Sequence, residues 1–215
     1  NIFENTNLSI FLRNDDHKQS GGNSTYKLSL NQKIKKLEFG VARMTGLRNP
    51  TLYELYGTDN SGYSGNKSLK AEKSVSNELF MNYFVNDKLS FETSLFRSNI
   101  SNNIEYVNNK YINDSDDINL NQSGFNGNIL YSNKNTKIDF FTSFLSSKKE
   151  NSSDQLRRPE KTYGISLNKK INIYSLGNFN FNTNYKHYGK HFDTHSTSFS
   201  TIEMDSTDIV DLSIS

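Results

Sequence analysis

Cysteine and tryptophan are missing altogether, proline occurs only twice, and hydrophobic residues make up just 33% of the 215 positions. Each shortage excludes something. Without cysteine there is no disulfide framework, no thiolate nucleophile and no thiolate metal site. Nowhere does the chain hold the ~18 consecutive apolar residues that a spanning helix requires. The opening Asn1-Ile2-Phe3-Glu4 lacks the basic start and apolar stretch of a secretion signal, so an internal fragment is expected. Basic residues number 25 against 23 acidic, for a net charge of +2, and no basic block suggests a nucleic-acid surface. Mean hydropathy, at -0.75, is low for a soluble core. Yet 12 Tyr and 15 Phe are more aromatics than disordered chains carry. A transmembrane β-barrel reconciles the two, because only alternate strand residues face lipid and the rest tolerate amides, hydroxyls and charge.

What the chain does hold is period-two alternation. From Phe179 to Lys186 the odd positions are Phe179, Phe181, Thr183 and Tyr185, and the even ones are Asn180, Asn182, Asn184 and Lys186. Successive side chains point to opposite faces of a strand, so this segment has one apolar face and one wet face. The same pattern runs through Leu8/Ile10/Leu12, Tyr26/Leu28/Leu30, Leu37/Phe39/Val41, Leu79/Met81/Tyr83, Leu89/Phe91/Leu95, Phe125/Ile129/Tyr131, Ile138/Phe140/Phe144, Tyr163 to Ile173 and Val210/Leu212/Ile214. About ten strands are therefore expected. Short turns are predicted at Lys35-Lys36, Asn86-Asp87, Asn133-Lys134-Asn135 and Leu176-Gly177-Asn178. Longer polar connections are predicted over Asp15 to Ser24, Leu47 to Ser74, Asn108 to Asp117, Ser147 to Lys161 and Asp193 to Thr207, with Lys88 to Val107 read as one long strand. Short turns at one rim and long loops at the other fit an outer-membrane barrel. Alternation alone would equally suit a half-buried antiparallel sheet.

One stretch breaks the alternation. Gly46-Leu47-Arg48-Asn49-Pro50-Thr51-Leu52-Tyr53-Glu54-Leu55-Tyr56-Gly57 is followed by Gly65-Asn66-Lys67-Ser68-Leu69-Lys70-Ala71-Glu72-Lys73-Ser74. Together they resemble the G-x-x-x-P-x-x-x-E-L and N-x-x-L-x-P-E-x-S signature of TonB-dependent outer-membrane receptors, and most of all the cobalamin (vitamin B12) receptor type. Leu156-Arg157-Arg158-Pro159, Tyr185 to Asp193 and Asp208-Ile209-Val210-Asp211-Leu212 are similar to later segments of that family, in the same order. Ala71 departs from the usual proline, and Phe125-Asn126-Gly127 from a G-V-E. The resemblance implies an all-β, antiparallel transmembrane barrel of 22 strands plugged by an N-terminal domain. Residues 1–215 would supply about ten of those strands, leaving out the plug, the TonB box and the final strands.

Function follows from the resemblance as expectation. It implies a non-enzymatic receptor in the outer membrane of a Gram-negative bacterium, driven by the TonB-ExbB-ExbD complex and embedded in outer-membrane lipid. Its ligand would be a corrinoid, with a ferric siderophore or haem as the alternative, and no cofactor is implied. Candidate ligand contacts are Arg157, Arg158, Arg48, Tyr53, Tyr56 and Tyr63, offering fork-like donors and flat amphipathic rings. The tyrosines and their leucine neighbours could instead fold the loop back on the barrel mouth. A small barrel protease of omptin type would draw on Asp114/Asp116 and Asp193/His195. Asp114-Ser115-Asp116-Asp117 could hold a hard cation, and His187 and His191 are placed on one outward strand face at the membrane interface rather than on a metal. Asn23-Ser24-Thr25 and Asn151-Ser152-Ser153 match glycosylation triplets by composition.

Overall fold

The computed structural model describes residues 4–17, 21–115, 119–149, 155–198 and 200–215. In chain order the elements are β1 (Thr6–His17), β2 (Gly21–Ile34), β3 (Leu37–Arg48), α1 (Leu52–Tyr56), β4 (Glu72–Asn86), β5 (Leu89–Ser101), β6 (Ile104–Val107) and β7 (Lys110–Asn113). They continue as β8 (Leu120–Ser132), β9 (Thr136–Lys149), β10 (Lys161–Ile173), β11 (Gly177–Tyr188), β12 (His191–Thr194), β13 (Thr201–Met204) and β14 (Thr207–Ile214). One 10-stranded antiparallel sheet runs β1-β2-β3-β4-β5-β8-β9-β10-β11-β14, and β6-β7 and β12-β13 are separate hairpins within long connections. The expected ten strands are present. The sheet is open, since β1 and β14 each have a single neighbour, whereas a membrane barrel leaves no edge.

Several boundaries differ from the sequence reading. β1 and β2 run through most of the predicted loop over Asp15 to Ser24, leaving only positions 18–20 between them. Lys88 to Val107 is not one strand: the backbone turns at Asn102, with a φ of 55°, and Ile104 begins a hairpin instead. The last short turn falls at Tyr174 to Leu176, two residues ahead of the predicted Leu176-Gly177-Asn178. His187 and His191 do not share a strand face, because β11 stops at Tyr188 and His191 opens β12.

Register converts the alternation into continuous faces. Pairing carries Ile34 to Leu37, Tyr83, Phe91, Ile129, Phe140, Ile165, Tyr185 and Val210, an apolar row across nine strands. A one-residue slip anywhere would turn that row over. Six residues further along β2 the row through Ile10 and Leu28 meets Arg43, Asn77, Arg97, Ser123 and Ser146. The apolar band therefore starts high on β1, at Leu8, Ile10 and Leu12, and drops toward the short-turn end by β11 and β14. The drop is about eight or nine residues over eight or nine strand spacings. With ~3.3 Å per residue and ~4.8 Å per spacing, this is a slope of roughly 30–40°, close to the ~35–45° tilt of membrane barrel strands. A flat-lying slab of lipid crossed by tilted strands demands such an oblique band.

The opposite face is polar and holds a feature that the alternation did not disclose. Gly40, Gly124 and Gly164 pair directly with Phe80, Phe96 and Phe141 on neighbouring strands. Each ring lies over its glycine, so that an added Cβ would sit 2.7 Å from the ring carbons. Backbone oxygens are closer still, with Phe144 O and Tyr185 O each 2.4 Å from the Cβ sites of Gly124 and Gly164. These are cross-strand aromatic covers of glycines, which pin register and let the sheet bend. Gly124→Ala and Gly164→Ala are each expected to lower the heat-unfolding midpoint of the full-length protein, consistent with about 1–3 kcal/mol of overpacking. Gly22→Ala, with nothing within 4 Å of its Cβ site, serves as the unperturbed control.

Candidate functional site

The connection from β3 to β4 holds the unusual motif, and its polar residues are tied into a clamp. Thr51 caps α1: its side chain accepts the Glu54 N–H at 3.2 Å while the Glu54 carboxylate accepts the Thr51 N–H at 2.6 Å. This reciprocal capping box starts a helix of only 5 residues. Arg48 then bridges two acids, reaching Glu54 Oε1 at 3.1 Å and gripping Glu72 through Nε at 2.5 Å and an amino nitrogen at 2.9 Å. Glu72 also accepts the Ile104 N–H at 2.8 Å, which attaches the β6-β7 hairpin to the same ion cluster. Burial alone would raise the Glu54 pKa, but the Thr51 N–H and the Arg48 guanidinium outweigh it and hold the carboxyl below its ordinary range.

Apolar packing completes the unit. Leu55, Leu69 and Ile104 form a buried cluster flanked by Tyr111. Tyr63 is only 2% exposed, stacks on Tyr53 at 4.8 Å, meets Tyr111 edge-on at 5.7 Å and donates its hydroxyl proton to Tyr53 O at 2.6 Å. Asn66 donates to Tyr111 O at 2.9 Å, and Asn113 Oδ1 accepts from the Lys70 N–H at 2.8 Å, so the motif loop and the hairpin behave as one body. Gly65 has no alternative here, because a Cβ would lie 2.5 Å from the backbone of Leu55.

Beside this body lies a cavity of about 800 Å³, where four long connections converge. Its aromatic wall is Tyr53, Tyr106, Tyr111 and Phe192, and its cations are Lys149 and Arg157. Lys149 is committed, lying 2.5 Å from Glu105 and 2.9 Å from Asp114. Arg157 is 73% exposed and reaches Asp193 through Nε at 2.8 Å. Its backbone adopts φ 59° and donates to Phe192 O at 2.7 Å, so the unusual conformation seats the side chain against the β12-β13 hairpin. The Arg157 contact holds the Asp193 carboxyl below its ordinary range.

The six residues singled out from sequence thus separate. Tyr53 and Arg157 reach the shared cavity. Arg158, although adjacent, lines a different one of about 170 Å³ with His191, Lys190 and Glu203. Tyr56 is exposed and does not line that cavity, with the Lys67 ammonium 5.5 Å from its ring. Arg48 and Tyr63 are structural members, one saturated by two carboxylates and the other buried. Tyr106, Tyr111 and Phe192 were missed. Ring contacts between distant loops leave no local signal, although Tyr106 and Tyr111 stand close to the Asn-rich turns at 102–103 and 108–109.

Other sequence candidates resolve less favourably. His195 Nδ1 accepts the Ser198 N–H at 3.1 Å and Asp193 faces Arg157, so the Asp-His pair of a protease is not assembled. His187 lies 2.8 Å from Asp208 and stacks on Tyr163 at 4.6 Å. Among the described residues no group of three or more His, Asp or Glu could hold a metal. Asp116, Asp117 and Asn151-Ser152-Ser153 lie outside the described residues.

Comparison with known proteins bears on the whole sheet. Residues 2–215 match the family model "TonB dependent receptor-like, beta-barrel". Among solved structures, the siderophore receptor PirA from Acinetobacter baumannii superposes with a TM-score of 0.75 at 15% identity, covering 99% of this chain and 37% of that one. A variant of the ferric enterobactin receptor PfeA from Pseudomonas aeruginosa gives 0.73 at 19% identity, with coverages of 99% and 35%. The ferric yersiniabactin uptake receptor FyuA from Yersinia pestis gives 0.65 at 15% identity, with coverages of 90% and 29%. At these identities the likeness is one of fold, and the chain spans only 29–37% of the length of those receptors.

Two outcomes are expected from the clamp. Arg48→Met leaves the Glu54 and Glu72 carboxylates without their cation, which should speed hydrogen exchange over positions 49–72 by roughly tenfold or more. Acid should act in the same direction. A carboxyl held below its unfolded value stabilises the fold above that value and loses the contribution as pH falls through the lower folded one. Exchange corrected for its intrinsic pH dependence should therefore rise over the motif loop only below roughly pH 4.

Proposed function

The chain belongs to the TonB-dependent receptor-like β-barrel family, and on that premise we propose that the intact protein is an outer-membrane receptor for a large, scarce nutrient. It draws energy from TonB and its ExbB-ExbD partners through a plug domain inside a 22-stranded barrel. The polar face, including Asn180, Asn182, Asn184 and Lys186 on β11, looks onto that plug. No covalent chemistry is asked of the barrel. Loops bind the ligand, and movement of the plug lets it pass.

The observation that carries the reading is the loop cavity, an aromatic wall with one exposed guanidinium. Flat anionic ligands suit it, since tyrosine faces stack and Arg157 offers a fork for oxygen anions. Its bond to Asp193 is water-exposed and worth little, so a ligand anion can take the place of the carboxylate at small cost. We favour an iron chelate of siderophore type as the ligand, because anionic oxygen donors and aromatic rings match these groups and the structural neighbours named above are siderophore receptors. A corrinoid is the second reading, supported by the motif resemblance at 46–74.

Titration of the full-length receptor with ferric siderophores and with cobalamin separates the two. Ferric siderophores are expected to bind at least tenfold more tightly, and Arg157→Ala to weaken them about three- to tenfold while loop hydrogen exchange is unchanged. Tighter binding of cobalamin, indifferent to Arg157, would decide for the second reading.

A further inference from the structure

The apolar face ends, on the long-loop side, in a basic border that neither the fold nor ligand uptake uses. Arg43, Asn77 and Arg97 are consecutive register partners on β3, β4 and β5, placing the two guanidinium stems about 10 Å apart by strand spacing. Both arginines are exposed. Arg43 spends its donors on neutral partners, the Tyr26 hydroxyl at 3.2 Å and Asn77 Oδ1 at 2.9 Å, so its charge is not cancelled. Lys161 continues the border, its ammonium 5.3 Å from the Tyr163 ring and 6.0 Å from that of Phe144. On this face of β3, β4, β5, β8, β9 and β10 there is no Asp or Glu.

Directly below the border lies the row Leu30, Val41, Leu79, Leu95, Phe125 and Phe144. Border and row line a continuous groove of about 1380 Å³, which Glu78 and Glu160 also border. Cations on a lipid-facing surface cost several kcal/mol at the bilayer centre and almost nothing at its edge, so their position marks the headgroup level. Arginine there is a phosphate ligand as well as a charge, since its planar fork matches phosphate oxygens.

We propose that this face holds a phosphate-bearing membrane lipid, with its acyl chains along the apolar row and its phosphate between Arg43 and Arg97. The proposal rests on the reading of the chain as part of an outer-membrane barrel. Charge complementarity selects the occupant: only the neutral Asn77 stands between Arg43 and Arg97, so a zwitterionic lipid would bring its own cation to a pair of guanidiniums, and a soluble protein would leave the greasy row without use.

The test uses the full-length receptor in detergent, with native mass spectrometry and three probes: diphosphorylated lipid A, phosphatidylcholine and inorganic phosphate. Lipid A is expected to stay bound at least tenfold better than phosphatidylcholine. Arg43→Gln/Arg97→Gln should abolish that preference while the protein keeps its heat-modifiable barrel mobility and its ligand affinity. Equal retention of the two lipids, retention unaffected by the double substitution, or displacement by inorganic phosphate would each overturn the proposal. Absence of heat-modifiable mobility in the wild-type protein would instead contradict the barrel reading beneath it.

Discussion

Every other feature depends on the strict division of each strand into an apolar and a polar side, held in one register through ten strands. The division is cheap in sequence terms, which is why a chain with 33% hydrophobic residues can still present a continuous greasy surface. Register gives it meaning. Rows such as Ile34 to Val210 stay apolar across nine strands, and the band they belong to slants by roughly the tilt a membrane barrel needs. A two-layer sandwich would have no reason to slant its core face in this way.

The slant also explains where function can be placed. Strands that rise obliquely through lipid emerge at one rim, and there the polar connections β3-β4, β5-β8, β9-β10 and β11-β14 gather. Long loops are mobile unless something holds them, and here the Arg48, Glu54 and Glu72 cluster, the capped five-residue helix and the stacked tyrosines do so. The body that results is one firm wall of a cavity whose other sides are Arg157 and the β12-β13 hairpin. Rigid aromatic surface beside a loosely paired cation suits capture of a bulky anionic ligand.

Strand number and facing were legible from sequence because period two is a local property. Turn positions were legible to within a residue or two where Asn and Lys flank them. Loop interiors were not. Arg48 looked like a ligand contact because a loop arginine near tyrosines is ambiguous until its two acids, at 54 and 72, are seen to close on it. Tyr63 read as a candidate contact in the same way, and its burial shows only in the folded loop. Lys88 to Val107 read as one strand because Ile104 and Tyr106 keep the alternation going past the bend at Asn102. The phenylalanines at 80, 96 and 141 broke the alternation on the wet face, and only pairing showed each one covering a glycine. The family motif itself proves to be mainly architectural: Asn66, Leu69, Ala71 and Glu72 all hold the loop together.

Cysteine labelling gives a direct test of the two-faced sheet, since residues 1–215 hold no cysteine of their own. Single cysteines at positions 76 to 83 of β4, and at the corresponding apolar rows of β1 and β11, can carry nitroxide labels in the full-length protein reconstituted in bilayers. Accessibility to oxygen against a water-soluble nickel complex then maps what each side chain faces. Alternation with a period of two, with Leu79→Cys and Met81→Cys in lipid and Glu78→Cys and Asn82→Cys shielded from it, is the result this account requires, together with a lipid zone lower on β11 than on β1. Labels on both faces equally sheltered from lipid, or a zone at one level on every strand, would contradict it.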